Sequence, residues 1–398
     1  MNAINLGIIG LGRGFMLTLP ALNAHPGVRL AAAFDLRADA LERFAQDYGG
    51  TTHGTIESLL ADPSIQAVYI ATPHELHAEQ TIAALRAGKH VLVEKPMATS
   101  VADCGAMASA AAAAGRVLMV GPSHGFDEPV RQAAALVASG RYGPVRLVTA
   151  FNFTDFLYRL RRPEELDSGR GGGVVYSQAA HQIDVVRRII GRPVASIRAV
   201  TGNWDADRPT EGAYAAFMTF QGGAAATLTY SGYGHYDSDA LLGWVSELGQ
   251  VKDPARYGDA RRALAALTVA DETDAKLART YGAPGGALPP SAPHHEHFGF
   301  VLVSCERADI KLLPTGLEIY ADDVRDLVPI APPKLARAAV IDDFAEAILS
   351  GINPVHDGQW GLDTVACCAA LIESSRRATE LDPRSMIADF AQGKGMRP

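Results

Sequence analysis

The chain has 398 residues, of which 48% are hydrophobic, so it is long enough to form two domains with buried cores. A net charge of −8 argues against a general nucleic-acid-binding surface, and no apolar run approaches the length of a membrane span. The first residues show no signal-peptide pattern and the four cysteines form no C-x-x-C motif, so we expect reduced thiols and a soluble cytoplasmic protein.

Residues 6–15, LGIIGLGRGF, take an apolar run of strand type directly into glycines, and a helical pattern follows. Strand, tight turn and helix form the context in which a glycine-rich loop binds pyrophosphate. Gly10 would make the turn, and Gly12 would let the backbone approach the phosphates. The G-x-G-x-x-G motif is imperfect, because Phe15 holds its third glycine position and Gly14 lies one residue early. A strand-to-helix turn without a ligand is the alternative.

A second apolar run, residues 28–34, ends at Asp35, about 20 residues after the glycines. An acid at this point can bind the adenosine ribose diol, which favours NAD. Arg37 could instead pair with the 2′-phosphate of NADP, and Asp35 could also cap the next helix. The pattern therefore favours NAD and leaves NADP possible.

Strand-like and helical patterns alternate up to residue 122, which predicts a parallel sheet with helices on both faces. After residue 126, runs of β-rich composition predominate, which predicts a mostly antiparallel sheet. Residues 231–297 have the composition of a long insertion, and helical patterns return over 334–349 and 361–380. We therefore predict an α/β fold. A Rossmann dinucleotide-binding domain would span residues 1–122, and an α+β domain with a large open sheet, for substrate binding and oligomerisation, would span residues 123–398.

Lys95 closes a predicted buried strand at the edge of the sheet where ligands bind. A lysine there can hydrogen-bond a substrate hydroxyl and favour its deprotonation as hydride leaves. The alternative, which is more common for a lysine at a strand end, is a surface residue without a catalytic role. The glycine loop and the stretches T-P-H-x-x-H at 72–77 and G-K-H-V-x-x-E-K-P at 88–96 together resemble the Gfo/Idh/MocA family of NAD(P)-dependent oxidoreductases. The sequence GGGVVYSQAAHQID at 171–184 and the pattern at 357–374 are also similar to that family.

The resemblance implies that Lys95 is a catalytic lysine beside the nicotinamide and that His181 is an acid/base histidine. A pKa near 6.5 suits a histidine to proton exchange, although a core histidine at a helix start is the alternative. Ser177 stands where family members commonly carry an acid, which weakens a sugar-polyol interpretation, and Asp184 could orient His181. The resemblance implies cofactor contacts from Gly10, Gly12, Arg13, Gly14, Phe15, Asp35, Arg37, Thr72, Pro73, His74, His77, Glu94, Lys95 and Pro96.

Four arginines, Arg159, Arg161, Arg162 and Arg170, precede or adjoin the glycine turn at 171–173. Arginine forks bind carboxylates in bidentate fashion, so a carboxylated substrate would account for the cluster, and a solvated loop is the alternative. The sequence His294-His295-Glu296-His297 could belong to a substrate pocket or a polar loop, and we predict no metal there because neighbouring residues rarely converge on one ion.

The 177–184 variant, the arginines and the insertion together are similar to one subgroup of the family, the phthalate 4,5-cis-dihydrodiol dehydrogenases and their relatives. This implies oxidation of a carboxylated aromatic cis-dihydrodiol to a catechol. The implied substrate contacts are His124, Arg159, Arg161, Arg162, Arg170, Ser177, Gln178 and His181. A sugar or inositol dehydrogenase, redox-neutral chemistry with retained NAD, and a non-catalytic dinucleotide-binding regulator are the alternatives. We expect a homodimer or homotetramer, with a small-molecule substrate and neither nucleic acid nor membrane as a partner.

Overall fold

The computed structural model describes residues 3–283, 286–288 and 290–391. These residues divide into two compact units, the first within Met1–Pro122, Thr273–Ser291 and Leu335–Val365, and the second within Ser123–Glu272, Ala292–Lys334 and Ala366–Pro398. The division after Pro122 coincides with the expected domain boundary. However, the ranges 273–291 and 335–365, which we assigned to the second domain, belong to the first unit.

Backbone contacts explain why these two later segments join the first unit. The amide of Val120, in the last strand of the parallel sheet, donates to the carbonyl of His356 at 2.8 Å, and Met119 bridges to Asp357. The amide of Tyr281 donates to the carbonyl of Leu11 at 3.2 Å. Such pairings leave no periodic pattern in the sequence, so composition alone could not place the segments.

The first unit is built on six parallel strands in the order β3-β2-β1-β4-β5-β6. The strands are Ile4–Ile9 (β1), Val28–Phe34 (β2), Thr51–Thr52 (β3), Ala67–Ile70 (β4), His90–Val93 (β5) and Leu118–Val120 (β6). The helices among them are Arg13–Ala24 (α1), Ala38–Tyr48 (α2), Ile56–Ala61 (α3), His77–Arg86 (α4) and Val101–Ala114 (α5). Strand order reverses at β1, between β2 and β4, and sheets of this type bind nucleotides at such a switch point.

Burial explains why these segments form these elements. In β1, Leu6, Ile8 and Ile9 are at most 1% exposed, because helices cover both faces of a parallel sheet. In α2, Ala40 and Phe44 lie one turn apart on the buried face, while its other residues face outward at least in part. The predicted Rossmann fold is therefore confirmed.

The second unit is built on eight strands in the order β14-β13-β12-β11-β7-β10-β9-β8. The strands are Val145–Phe153 (β7), Val194–Gly202 (β8), Ala213–Phe220 (β9), Ala225–Ser231 (β10), Phe300–Cys305 (β11), Ala308–Leu313 (β12), Gly316–Ala321 (β13) and Arg325–Pro329 (β14). The other helices in the described ranges are Glu128–Ala138 (α6), Ala180–Ile190 (α7), Asp259–Ala265 (α8), Val269–Leu277 (α9), Ala338–Ser350 (α10), Gly358–Arg377 (α11) and Pro383–Ala391 (α12). Among these described strands only β7 and β10 pair in parallel, so the prediction of a mostly antiparallel sheet is confirmed.

The inner face of this sheet carries the hydrophobic core of the second unit. Side chains alternate along β7, so Val148 and Ala150 point inward while Leu147 and Thr149 point outward. The inward residues share one core with α7 and with the second half of α11, where Cys368 is fully buried. No helix in the described part of the chain is both long and apolar enough to cross a membrane.

Candidate active site

The glycine loop connects β1 to α1 at the switch point of the parallel sheet. Gly10 has a φ of +92°, which glycine adopts without strain, and a Cβ there would lie 2.9 Å from the carbonyl oxygen of Ala71. Gly12 precedes α1, and no side chain among the described residues caps this helix. Its first amide groups can therefore bind an anion, and the tight backbone turn fits the pyrophosphate of a dinucleotide.

The displaced glycine of the motif has a structural explanation. Phe15 is fully buried, and its ring meets that of Tyr281 edge-on at 5.4 Å. Gly14 makes a close approach instead, since a Cβ there would lie 2.7 Å from Oε1 of Glu94. Arg13 begins α1; partial burial lowers its pKa, and the charges of Arg279 and Arg337 lower it further. The resulting positive field at the loop suits a pyrophosphate.

Asp35 follows β2 and turns its carboxylate toward the glycine loop. Its Oδ2 accepts a hydrogen bond from the amide of Leu11 at 2.7 Å, and its Oδ1 accepts from the amide of Arg37 at 2.9 Å. Only 11% of the side chain is exposed. An acid at this position fits the ribose diol of NAD.

His77 fixes two loops that follow strands. Its Nδ1 lies 3.0 Å from the carbonyl oxygen of Pro96, and its Nε2 lies 3.0 Å from that of Thr72. Burial lowers the pKa of His77 more than these two carbonyl oxygens raise it. Because both nitrogens face the backbone, His77 is better suited to shaping the loops than to touching a cofactor. Its ring also packs 5.5 Å from that of His74, which follows Pro73 in a short helical turn.

Glu94 and Lys95 directly follow β5. The hydroxyl of Tyr69 donates to Oε1 of Glu94 at 2.5 Å and lies 3.1 Å from Oγ1 of Thr18, which accepts from Arg337 at 3.2 Å. Burial raises the pKa of Glu94 more than the charge of Arg337 and the Tyr69 hydrogen bond lower it. No pattern in the sequence indicated this network, because Tyr69 lies within an apolar strand and Arg337 lies far along the chain outside any motif.

In the second unit, His181 lies in the first turn of α7, after a π-helical turn over Val175–Ala179. Its Nδ1 lies 3.3 Å from Oγ of Ser123, and that hydroxyl donates to Oδ2 of Asp184 at 2.7 Å. Asp184 also accepts from the amide of Gly125 at 2.8 Å. Because the serine proton is directed at Asp184, its oxygen accepts from Nδ1–H, which corresponds to the His181 tautomer with the proton on Nδ1. Ser123, which we did not predict, therefore contacts both His181 and Asp184, and an orienting role for Asp184 stays a prediction.

A second histidine packs against His181. The His124 ring lies 4.7 Å from that of His181, and both rings pack against Phe298, at 5.1 and 5.0 Å respectively. Nδ1 of His124 lies 2.6 Å from Oδ2 of Asp127. Burial lowers the pKa of His124, but the charge and hydrogen bond of Asp127 outweigh that effect, so the net shift is upward.

We expect Asp127→Asn to lower the free energy of unfolding by about 1–2 kcal/mol at pH 6 and by much less at pH 9. The folded pKa of His124 is raised, so the stabilisation is fully present below the unfolded pKa, near 6.5, and is lost as the pH rises through the folded value. Urea unfolding at the two pH values measures the difference, with the exposed Asp323→Asn as a control. An equal loss at both pH values would show that the pair does not carry a charge.

Arg159 forms ion pairs with two carboxylates. Its Nε donates to Asp155 at 2.7 Å and its Nη1 donates to Glu247 at 2.9 Å, while 40% of the side chain remains exposed. Burial alone would raise the pKa of Glu247, but the charge and hydrogen bond of Arg159 lower it to about 2. Glu247 lies in the insertion and is close enough to His124 to contribute to its raised pKa. Arg159 is therefore the predicted arginine that is linked to the histidine pair.

Arg161 and Arg162 form their described ion pairs with Glu164 and Glu165, which are not the ion-pair partners described for Arg159. Arg161 lies 3.6 Å above the Phe156 ring and lines an open cavity of about 970 Å³, and burial lowers its pKa to about 10. Arg162 pairs with Glu164 at 3.0 Å, and Arg170 is exposed in a short turn. The acids that follow Arg161 and Arg162 in the sequence help to explain the separation, because they pair with their near neighbours.

Ser177 and Gln178 lie in the π-helical turn. The Ser177 hydroxyl donates to the carbonyl of Gly173, and Oε1 of Gln178 accepts from the hydroxyl of Tyr230 at 3.2 Å. Both contacts hold the approach to α7 in place. Gln178 is only 8% exposed, so its amide is part of the interior of the unit.

Two histidines of the histidine-rich stretch at 294–297 contact backbone carbonyls of neighbouring loops, which favours a structural role for them. Nε2 of His295 lies 2.8 Å from the carbonyl of Ala331, and Nε2 of His297 lies 2.9 Å from that of Val245. Within residues 3–283, 286–288 and 290–391, no group of three histidine, cysteine or acidic side chains could hold a metal ion.

Comparison with known proteins supports the fold and the cofactor. Residues 4–122 match an oxidoreductase family with an NAD-binding Rossmann fold, and residues 130–243 match the GFO/IDH/MocA C-terminal domain. The chain is 44% identical over 377 residues to the 1-carboxy-3-chloro-3,4-dihydroxycyclohexa-1,5-diene dehydrogenase of Comamonas testosteroni, covering 94% of this chain and 95% of that one.

Two solved structures extend the comparison. A protein of Bordetella bronchiseptica RB50, described as a dehydrogenase, has a TM-score of 0.90 at 39% identity, covering 96% of this chain and 100% of that one. An Agrobacterium radiobacter oxidoreductase in complex with NAD⁺, L-tartaric acid and magnesium has a TM-score of 0.72 at 18% identity, covering 97% and 100%, which shows the fold alone. The match over nearly the full length of a named dehydrogenase, together with both family domains, shows that the chain belongs to the Gfo/Idh/MocA family of NAD-dependent oxidoreductases and is a dehydrogenase acting on CH–OH groups.

Proposed function

We propose that the protein oxidises a carboxylated aromatic cis-dihydrodiol to a catechol. The observation that carries the proposal is the 44% identity, across nearly the whole of both chains, to a dehydrogenase whose name describes a carboxylated cyclohexadiene diol. Ser177 weakens the polyol alternative, because it replaces the acid common in the family and its hydroxyl donates to the Gly173 carbonyl.

We propose Lys95 and His181 as the catalytic residues. Lys95 would stabilise the substrate oxygen as it loses its proton, and Nε2 of His181 would receive that proton. The glycine loop and Asp35 would hold NAD, which would supply the hydride acceptor. Loss of one hydride from carbon and one proton from oxygen gives a hydroxydienone. This ketone tautomerises to the catechol, and aromatisation makes the oxidation effectively one-way.

We further propose that Arg159 binds the substrate carboxylate. Among the described contacts of the four arginines, only those of Arg159 include Glu247, whose charge also raises the pKa of His124. The Arg159 side chain is also partly exposed, so a substrate can reach it. A carboxylate could replace Asp155 on the guanidinium, since Asp155 is 44% exposed and can turn to solvent. Arg162, which pairs with Glu164 and Glu165, offers a matched control.

A substrate panel tests the proposed function through the absorbance of reduced cofactor. The panel holds carboxylated cis-dihydrodiols of the benzoate and phthalate type, benzene cis-dihydrodiol, myo-inositol and glucose. We expect the highest kcat/KM with a carboxylated diol. Arg159→Gln should lower that value by about tenfold to a hundredfold, with no loss on benzene diol and no comparable effect of Arg162→Gln.

Three results would contradict parts of this proposal. Equal turnover of neutral and carboxylated diols would remove the role of Arg159. Activity on a polyol alone would show that the substrate is a polyol and not a diol of this kind, while the proposed dehydrogenase reaction would stand. Bond cleavage without net formation of reduced cofactor would replace the reaction itself.

We also propose that the outer face of the eight-stranded sheet packs against a second copy of the chain. Leu147, Val200 and Phe217 are 37%, 54% and 46% exposed, and the Phe151 and Phe300 rings stack at 4.9 Å among the outward residues. An apolar sheet face of this kind is typical of a self-association surface. Light scattering tests it, and a mass equal to the 42.1 kDa of one chain would rule it out.

A further inference from the structure

We propose that residues 277–282 of the insertion, here termed the clasp, act as a second determinant of NAD over NADP by holding the Arg37 guanidinium in internal hydrogen bonds. This inference concerns cofactor choice and does not depend on the proposed substrate.

Arg37 occupies the position at which a cation usually accommodates NADP. It lies two residues after Asp35, at the end of β2, where an arginine near the ribose can bind the 2′-phosphate. On sequence alone, the presence of Arg37 is therefore compatible with NADP binding. Whether it can serve that purpose depends on how many of its five N–H donors remain available.

The structure directs all five donors at protein oxygens. Nε donates to Oδ1 of Asp35 at 3.1 Å, and Nη1 donates to Oγ1 of Thr280 at 2.7 Å and to the carbonyl of Tyr281 at 2.9 Å. Nη2 donates to the carbonyl of Leu11 at 3.0 Å and to Oδ2 of Asp35 at 3.5 Å. A 2′-phosphate would have to displace at least one of these bonds.

The oxygens around Arg37 also have the wrong polarity for a phosphate. Thr280 directs its own hydroxyl proton to the carbonyl of Leu277 at 2.6 Å, so toward Arg37 it acts only as an acceptor. The other partners are two carbonyls and a carboxylate, which repel an anion. A ribose hydroxyl, by contrast, can donate to Oδ2 of Asp35, whose bond from Arg37 is the longest of the five.

The clasp is anchored independently of Arg37. The Tyr281 hydroxyl donates to Oδ2 of Asp47 in α2 at 2.7 Å, and its ring packs on Phe15 in α1. Gly282, with φ of +82°, lies so close to α2 that a Cβ would come within 2.8 Å of Cα of Ala40. Thr280 and Tyr281 are 9% and 5% exposed. The clasp therefore holds Arg37 in a fixed arrangement.

Two successive substitutions test the role of the clasp by direct binding of NADH and NADPH without substrate. Asp35→Ser removes the carboxylate, and Thr280→Val then removes the clasp acceptor with little change in shape. Thr268→Val is the matched control, because that hydroxyl lies in the same insertion and pairs with Asp271. We expect Asp35→Ser to tighten NADPH binding about tenfold and Thr280→Val to add about another tenfold in that background, since one released donor forms a charge-assisted hydrogen bond.

The control Thr268→Val should add nothing, and amide exchange over residues 277–283 should be faster in the Asp35→Ser/Thr280→Val protein than in Asp35→Ser/Thr268→Val. Circular dichroism confirms that each variant folds. The proposal is overturned if the wild-type protein binds NADPH as tightly as NADH. It is also overturned if Thr280→Val leaves the Kd for NADPH of the Asp35→Ser protein unchanged. Neither outcome depends on which diol or polyol the enzyme oxidises.

Discussion

Lys95→Met is expected to lower kcat by about 10²- to 10⁴-fold, the range for loss of a positioned group that assists proton transfer. Methionine retains most of the length and apolar stem of lysine but cannot stabilise an alkoxide or donate a proton. Lys95 lies two residues after the end of β5, the strand next to β4 in the parallel sheet, so the sheet largely sets its backbone position. The change should therefore affect chemistry much more than folding.

Steady-state kinetics and the Kd for NADH together check this expectation. The Kd should stay within about threefold of the wild-type value, because an interaction made only in the transition state affects kcat without comparable loss of ground-state binding. Lys334→Met, a change at an exposed lysine, should leave both quantities unchanged. A Lys95→Met protein with wild-type kcat would eliminate the catalytic role, whereas loss of NADH binding would indicate that Lys95 mainly holds the cofactor.

Glu272→Gln is expected to lower the free energy of unfolding by about 3 kcal/mol or more, because it leaves a buried charge without its partner. Both guanidinium Nη atoms of Arg208 donate to Glu272 at 3.1 Å, and the two side chains are only 8% and 7% exposed. The amide of Arg161 also donates to Oε1 of Glu272 at 2.6 Å. The pair joins α9 to the loop between β8 and β9.

A compensating change separates the effect of the unpaired charge from that of altered packing. Arg208→Met in the Glu272→Gln background should recover most of the lost stability, because the buried charge is gone and the introduced side-chain carbonyl can still accept from the amide of Arg161. Glu318→Gln provides a surface control, since its partner Arg325 is 66% exposed and such pairs contribute about 0–1 kcal/mol. Urea unfolding followed by circular dichroism measures the wild-type protein and all three variants. Equal costs for Glu272→Gln and Glu318→Gln would show that burial does not strengthen the pair.

The parts of the fold that follow from local sequence were predictable. Gly10 and Gly12 lie between an apolar strand and a helix, so spacing alone predicts a tight strand-to-helix turn, and the strand order then places this turn at the switch point of the sheet. Asp35 was predictable in the same way, because it ends the apolar run that forms β2. The resemblance to the family added Lys95 and His181 as candidate catalytic residues, and the structure locates them at a strand end and in the first turn of a helix without testing their roles.

Contacts between distant segments were not predictable in the same way. Ser123 meets Asp184 across 61 residues, and Arg37 meets Thr280 across 243 residues. No periodicity links such pairs, and one sequence provides no covariation. The arginine cluster is different, because Glu164 and Glu165 next to Arg162 were visible in the sequence and indicate local ion pairs.

The discontinuity of the first unit has a consequence for the order of events during synthesis. Residues 1–122 leave the ribosome before the later segments of this unit, yet the outer edge of β6, the edge not paired with β5, is covered only when His356 and Asp357 have been made. The Phe15 side chain beside the glycine loop is likewise covered only after Tyr281 has been made. Until then the nascent sheet has an unpaired edge, which is an aggregation hazard for a growing chain. Completion of the nucleotide-binding unit therefore depends on translation having passed residue 357.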